Sequence, residues 1–141
     1  MYPVDPNFTE AGSERYFMTR KKILVVDDEP DMVITCVRLL KAMGYRCLTA
    51  RTGPEAIQLV NAERPDVVVT DLHLPVGDGF EISRHVRQSF PQTPVIVITA
   101  YHTPDTVGAA YANGATGYLA KPFSTIEFKE AIQRALGLIS T

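Results

Sequence analysis

A chain of 141 residues, 45% hydrophobic and 21% charged, has the size and composition of one globular domain with a single core. A net charge of -2, with no basic run longer than Arg20-Lys21-Lys22, argues against a nucleic-acid-binding surface. No stretch approaches the ~18 apolar residues of a membrane-spanning helix, and the first residues lack a signal-peptide pattern. We therefore expect a soluble, cytoplasmic protein without a membrane or nucleic-acid partner.

The first residues differ in character from the rest of the chain. Residues 1–19 contain two prolines and one glycine without helical or strand periodicity, so we predict a flexible N-terminal arm there. The folded domain is predicted over residues 20–141. Cys36 and Cys47 lie among apolar residues without metal-ligand spacing, which favours reduced thiols in the core.

Five short apolar runs alternate with helical segments from Ile23 to Leu136. The runs are Ile23–Val26, the segment around Cys47, Val67–Thr70, Val95–Ile98 and Gly117–Ala120. This alternation predicts an α/β protein, with a five-stranded parallel sheet and helices on both faces. Only five residues follow the last helical segment, so we expect no C-terminal output domain in this chain.

The helical segments begin and end at recognisable capping residues. They are predicted at about Pro30–Met43 before Gly44, from the capping-box pattern Thr52-Gly53-Pro54-Glu55, at Gly79–Ser89 after Asp78, at about Pro104–Asn113 after Thr103, and after Ser124. In the fifth helix Glu127 can cap reciprocally with Ser124, while Phe123 and Phe128 can form a hydrophobic staple. The fourth contains Gly108 and few large apolar groups, so we expect it to be the least firmly held.

Four of the apolar runs end in residues that carry chemistry. In chain order these are the pair Asp27-Asp28, then Asp71, Thr99 and Lys121. Ligands of an open parallel sheet bind beyond the carboxyl ends of its strands, so we expect these side chains to meet. Any one of them alone has a structural explanation, as a helix cap, a turn residue, a strand end or a solvated charge. Their joint occurrence at strand ends favours a functional site.

Electrostatics adds an independent argument for a cation at this place. Two unit charges ~4 Å apart interact by about 4 kcal/mol at an effective dielectric near 20. Three clustered carboxylates therefore require either raised pKa values or a bound cation. Oxygen ligands without a nearby His or Cys cluster suit Mg²⁺.

The order and context of these residues resemble the response-regulator receiver domains of two-component signalling. The resemblance covers residues 20–136 and rests on the pair Asp27-Asp28, on Asp71 followed by Leu-Pro and Asp-Gly, on Thr99-Ala100 and on Lys121-Pro122-Phe123. It implies the doubly wound, flavodoxin-like (βα)5 fold. It also implies that Asp71 accepts a phosphoryl group from a sensor histidine kinase or a histidine phosphotransfer protein. The chain would then be a regulatory phosphoacceptor that assists its own phosphorylation and dephosphorylation, and not an enzyme.

The same resemblance assigns a role to each residue around the acceptor. Asp28 and Asp71 would ligate Mg²⁺ directly, Asp27 through water, and His73 through its backbone carbonyl. Lys121 and Thr99 would bind phosphoryl oxygens, with help for Thr99 from a backbone N–H near Ala100. His73 and Tyr101 occupy positions that tune the lifetime of the acyl phosphate, and their bulk predicts slow hydrolysis.

The resemblance further implies a conformational switch with a protein-binding output. Thr99 would move toward the phosphoryl group and Tyr118 would turn inward, although an ordinary strand tyrosine with a surface hydroxyl explains Tyr118 equally well. The downstream protein target would bind the face formed by 104–113, 117–120 and 124–136. Phosphorylation-dependent dimerisation is a further expectation.

Other functions fit the sequence less well. A haloacid-dehalogenase phosphatase needs a second acid two residues after its nucleophile, where this chain has His73. A flavodoxin-like flavin carrier needs a phosphate-binding loop after its first strand, where Asp27 and Asp28 would repel phosphate. Two alternatives stay open: a receiver-like interaction module that works without phosphate, and the isolated receiver of a longer transcriptional regulator.

Overall fold

One parallel sheet organises the domain. The computed structural model describes residues 20–140, so the predicted arm at residues 1–19 lies outside the described residues. Five strands form the sheet: β1 (Lys22–Val26), β2 (Arg46–Ala50), β3 (Val67–Asp71), β4 (Val95–Thr99) and β5 (Gly117–Ala120). Their order across the sheet is β2-β1-β3-β4-β5, with every neighbouring pair parallel. The predicted five-stranded parallel sheet is confirmed.

Helices connect successive strands and cover both faces of the sheet. They are α1 (Pro30–Ala42), α2 (Gly53–Glu63), α3 (Gly79–Ser89), α4 (Pro104–Ala112) and α5 (Thr125–Ala135). Alternate residues of β1 face opposite sides, since Leu24 packs in the cluster beneath α2, α3 and α4, whereas Ile23 packs in the cluster beneath α1 and α5. The fold is therefore doubly wound, as the alternation of runs predicted. Across residues 20–140, no helix is long and apolar enough to cross a membrane.

The helix starts follow the capping signals of the sequence. A side-chain oxygen accepts the backbone N–H three residues later at Thr52 (3.2 Å), Asp78 (2.8 Å), Thr103 (3.1 Å) and Ser124 (3.0 Å). In return, the Glu127 carboxylate accepts the Ser124 N–H at 3.0 Å. The rings of Phe123 and Phe128 stack with centroids 5.5 Å apart. The capping box predicted at Thr52 is only half formed, because the Glu55 carboxylate accepts from the Arg51 N–H.

Among the helices of residues 20–140, α4 has the fewest buried residues. Its single buried residue is Ala110, which agrees with the weak packing expected from its composition. Beyond its carboxyl end, the Arg84 guanidinium donates to the side-chain oxygen of Asn113 at 2.8 Å. The carboxyl end of α4 is thus tied to α3, while its amino end follows the loop after β4.

Of the two cysteines expected in the core, Cys36 is buried, whereas Cys47 is partly buried and packs against the core. Cys36 is buried on α1, and burial, with a smaller effect of the Asp27 charge, raises the pKa of its thiol to about 12. Burial also raises the pKa of Cys47. Both thiols therefore stay protonated at neutral pH, which makes them poor nucleophiles.

Candidate functional site

The carboxyl ends of four strands bring the predicted site residues to one edge of the sheet. In the strand register, Thr70 lies opposite Val26, and Asp71 lies opposite Ile98. On the other side of β4, Thr99 lies opposite Ala120. Asp27 and Lys121 directly follow β1 and β5, so the acids, Thr99 and the ammonium lie at the same edge of the sheet. The cleft at this edge holds the acids and the ammonium.

Three carboxylates cluster at this edge of the sheet. Asp27, Asp28 and Asp71 each offer an oxygen, and these oxygens all lie within 4.8 Å of one another. Asp27 and Asp71 are buried, with 3% and 8% of their surface exposed, whereas Asp28 is partly exposed. The acid pair therefore lies on the same rim as Asp71, which agrees with the expectation that residues at the strand ends meet.

Lys121 joins the two buried acids from the opposite side. Its Nζ donates to Asp71 Oδ2 at 2.9 Å and to Asp27 Oδ2 at 3.1 Å. Burial alone would lower the pKa of Lys121, but the hydrogen bonds and charges of Asp71 and Asp27 outweigh it, so the pKa lies above its ordinary value. Lys121 is therefore a full positive charge at neutral pH.

Backbone groups fix the other oxygen of each buried acid. Asp27 Oδ1 accepts the Glu29 N–H at 2.9 Å, and Asp71 Oδ1 accepts the His73 N–H at 3.3 Å. The carboxylates are thus held by the turns that follow β1 and β3. One ammonium faces three carboxylates, so negative charge remains in excess. The donors are all oxygens, which fits a hard divalent cation such as Mg²⁺.

Replacing Asp28 by asparagine tests this excess of negative charge. In EDTA we expect Asp28→Asn to increase the free energy of unfolding by about 1 kcal/mol, because a carboxylate is removed from its like-charged neighbours while its partial exposure limits the gain. Urea unfolding followed by circular dichroism measures this. Added Mg²⁺ should stabilise the wild type more than the variant. The exposed Asp31→Asn is the control, and an Asp28→Asn variant less stable than wild type in EDTA would contradict the prediction.

Thr99 and Tyr118 are connected through the loop that follows β4. Thr99 is completely buried, and its Oγ1 accepts the Tyr101 N–H at 3.1 Å, which uses a lone pair of the hydroxyl and not its proton. The Tyr118 hydroxyl donates to the Tyr101 carbonyl at 3.2 Å. Burial raises the pKa of Tyr118, so this hydroxyl stays protonated. The loop after Thr99 is therefore hydrogen-bonded to β5.

Aromatic rings of the segments that follow β3 and β4 contact one another and Tyr118. The rings of His73 and Tyr101 meet edge to face with centroids 4.9 Å apart, and both residues are exposed. The ring of His102 lies 5.3 Å from that of Tyr118. The two positions predicted to tune the lifetime of the acyl phosphate are thus in contact with each other.

Two features of the cleft were not predicted from the sequence. Glu29 reaches the site, with its Oε1 3.8 Å from Lys121 Nζ, and its position directly after the acid pair was the available signal. The Lys121–Pro122 peptide bond is cis. Asp27 and Asp28 had a possible role as helix caps, but the N-cap of α1 is Glu29, whose side chain makes no capping bond.

A five-stranded parallel sheet with an acidic cleft and a lysine at its carboxyl edge is typical of receiver domains. Comparison with protein families agrees, since the response regulator receiver domain matches residues 23–133. The chain therefore belongs to the response regulator receiver domain family, as the resemblance in its sequence indicated.

Individual relatives differ in how much of their length this chain covers. Response regulator protein PilR of Pseudomonas aeruginosa is 39% identical over 121 residues, which are 86% of this chain but 27% of PilR. Sporulation initiation phosphotransferase F of Bacillus subtilis is 34% identical over 123 residues, which are 87% of this chain and 99% of that protein. The chain thus spans about a quarter of one relative and nearly all of the other.

A solved structure supports the same fold. The receiver domain of a sensor histidine kinase from Pseudomonas aeruginosa superposes with a TM-score of 0.77 at 30% identity, covering 84% of this chain and 99% of that domain. That structure has a magnesium ion coordinated in its active-site cleft.

Proposed function

We propose that this protein is a phosphoacceptor receiver, with its domain over residues 20–141, that takes a phosphoryl group onto Asp71. The observation that carries the proposal is the cleft in which Lys121 bridges the buried carboxylates of Asp27 and Asp71 at 3.1 and 2.9 Å. The donor is a phosphohistidine on a sensor histidine kinase or a histidine phosphotransfer protein. The protein is then a regulatory phosphoacceptor rather than an enzyme, and it works in the cytoplasm beside such donors.

Four residues are the proposed holders of Mg²⁺. Asp28 and Asp71 supply direct carboxylate ligands, Asp27 acts through water, and His73 supplies its backbone carbonyl. The oxygen-only donor set and the excess negative charge support this assignment. When bound, the ion neutralises charge on the carboxylates and on the phosphoryl oxygens.

The transfer itself requires little beyond position and charge. An Asp71 oxygen attacks phosphorus in line, so that an O–P bond forms as the N–P bond of the phosphohistidine breaks. The Lys121 ammonium stabilises one equatorial oxygen. The Thr99 hydroxyl, helped by a backbone N–H near Ala100, donates to another. Asp71 attacks as a carboxylate and needs no general base.

The proposed output is a changed protein-binding surface. Thr99 moves toward the phosphoryl group, and the loop bonded to the Tyr118 hydroxyl moves with it, so Tyr118 is the proposed switch residue. The surface that responds is formed by 104–113, 117–120 and 124–136. Weak burial of α4 supports this choice, because few contacts oppose its movement. A downstream protein, or a second phosphorylated copy, is the proposed partner of this face.

Phosphorylation by a small donor tests the function directly. Purified protein is incubated with acetyl phosphate and Mg²⁺ and then weighed by intact-mass spectrometry. We expect the mass of one added phosphoryl group with Mg²⁺ and none with EDTA. Unmodified wild-type protein would instead favour a receiver-like interaction module that works without phosphate.

The relatives differ on whether such a receiver stands alone or belongs to a longer protein. The match covers 27% of PilR, which favours the interpretation that this receiver belongs to a longer response regulator. The near-complete match to sporulation initiation phosphotransferase F favours a single-domain protein. Sequencing the gene on both sides of this segment decides between them.

His73 and Tyr101 are the proposed determinants of phosphoryl lifetime. Their ring centroids lie 4.9 Å apart. Bulky rings beside Asp71 and Thr99 would hinder the approach of water to the acyl phosphate. Exchanging both for serine is expected to speed decay of the acyl phosphate by about tenfold, a barrier change of ~1.4 kcal/mol. The phosphorylated fraction is followed by intact mass after the donor is removed. Tyr111→Ser, which removes an exposed tyrosine from α4, is the control, and unchanged decay in the double variant would refute the assignment.

A further inference from the structure

Glu29 lies between the acid pair and α1, but its side chain does not cap the helix. It is the N-cap of α1 by position, but its side chain makes no capping hydrogen bond. Its Oε1 lies 3.8 Å from Lys121 Nζ, and 65% of the side chain is exposed. A carboxylate at the mouth of the cleft therefore faces the ammonium that also holds Asp27 and Asp71.

A cation in the cleft would weaken the present contacts of Lys121 with Asp27 and Asp71. Its Nζ lies 2.9 Å from Asp71 Oδ2 and 3.1 Å from Asp27 Oδ2. A divalent ion held by these carboxylates repels the ammonium, because two positive charges then share the same oxygens. Among residues 20–140, three acids pair with Lys121, and of these Glu29 is the one outside the proposed set of metal-holding residues.

We propose that Glu29 is a positioning residue that keeps Lys121 at the mouth of the cleft when the cation is bound. The inference rests on the proposed function and predicts two effects of opposite direction. Glu29 favours cation binding, because it gives the displaced ammonium a partner. It slows phosphoryl transfer, because Lys121 must leave Glu29 to reach the phosphoryl oxygens.

Glu29→Gln in the full chain separates these two effects. Isothermal titration gives the dissociation constant of Mg²⁺, and intact mass gives the labelling rate with acetyl phosphate at saturating Mg²⁺. We expect the dissociation constant to rise about threefold and the labelling rate to rise about twofold, the size that an exposed ion pair allows. Partial unfolding cannot produce this pattern, because it lowers both affinity and rate.

Two further variants separate contact from charge. Asp31→Asn removes the same charge from an exposed residue in the first turn of α1 and is expected to change both quantities less than Glu29→Gln. Glu29→Asp keeps the charge but shortens the side chain by one methylene, and its labelling rate should follow that of Glu29→Gln. Wild-type behaviour of Glu29→Gln, or equal changes in Asp31→Asn, would overturn the inference. A wild-type protein that takes up no phosphoryl group would refute the proposed function instead, while the Mg²⁺ titration still tests Glu29.

Discussion

Asp71→Asn is expected to abolish uptake of a phosphoryl group from acetyl phosphate. The asparagine amide is nearly the same size as the carboxylate but is not a nucleophile at neutral pH, so no O–P bond can form at this position. The fold should survive, because the change also removes one like charge from the cluster of Asp27, Asp28 and Asp71. Intact mass measures the labelling, and urea unfolding confirms that the variant is folded.

Asp78→Asn is a matched control for this experiment. Asp78 lies in the loop after β3, where its Oδ1 caps α3 by accepting the Glu81 N–H at 2.8 Å. Asparagine caps helices about as well as aspartate, so this variant should retain the stability and labelling of the wild type. Labelling of Asp71→Asn at the wild-type rate would place the acceptor at another residue.

The sequence predicted the parts of the structure that depend on local patterns. The run Val67–Thr70 consists of three valines and a β-branched threonine, which predicted a buried strand, and β3 is fully buried. Because strands of a parallel sheet end at a common edge, the residues after each run could be predicted to meet. The convergence of Asp71 and Lys121, 50 residues apart, follows from this rule.

Contacts between side chains at the mouth of the cleft could not be predicted in the same way. The approach of Glu29 to Lys121 and the bond from Tyr118 to the Tyr101 carbonyl depend on how loops turn after the strands end. The hydrophobic periodicity of the sequence does not predict the path of these loops. The capping box at Thr52 shows the same limit, because Glu55 had two nearby N–H donors and bonded that of Arg51.

Gly79→Ala is expected to destabilise the protein by about 2–3 kcal/mol through overpacking. A Cβ at this position would lie 2.7 Å from the Asp71 carbonyl oxygen and 3.1 Å from the Leu72 Cα. Both neighbours are backbone atoms, so the contact cannot be relieved by a side-chain rotation. The Gly79 N–H also donates to the Leu72 carbonyl at 2.9 Å, which fixes α3 against the end of β3. Urea unfolding by circular dichroism measures the loss.

Gly108→Ala provides the matched control with the opposite sign. Gly108 lies inside α4, and a Cβ there meets nothing within 4 Å. Alanine should therefore stabilise the protein by ~0.5–1 kcal/mol, because it reduces the freedom of the unfolded chain and favours the helix. Wild-type stability of Gly79→Ala would show that the end of β3 can yield. The overlap of the new Cβ with the Asp71 carbonyl oxygen also displaces the backbone of the acceptor residue. We therefore expect Gly79→Ala to lower the labelling rate, whereas Gly108→Ala should preserve it.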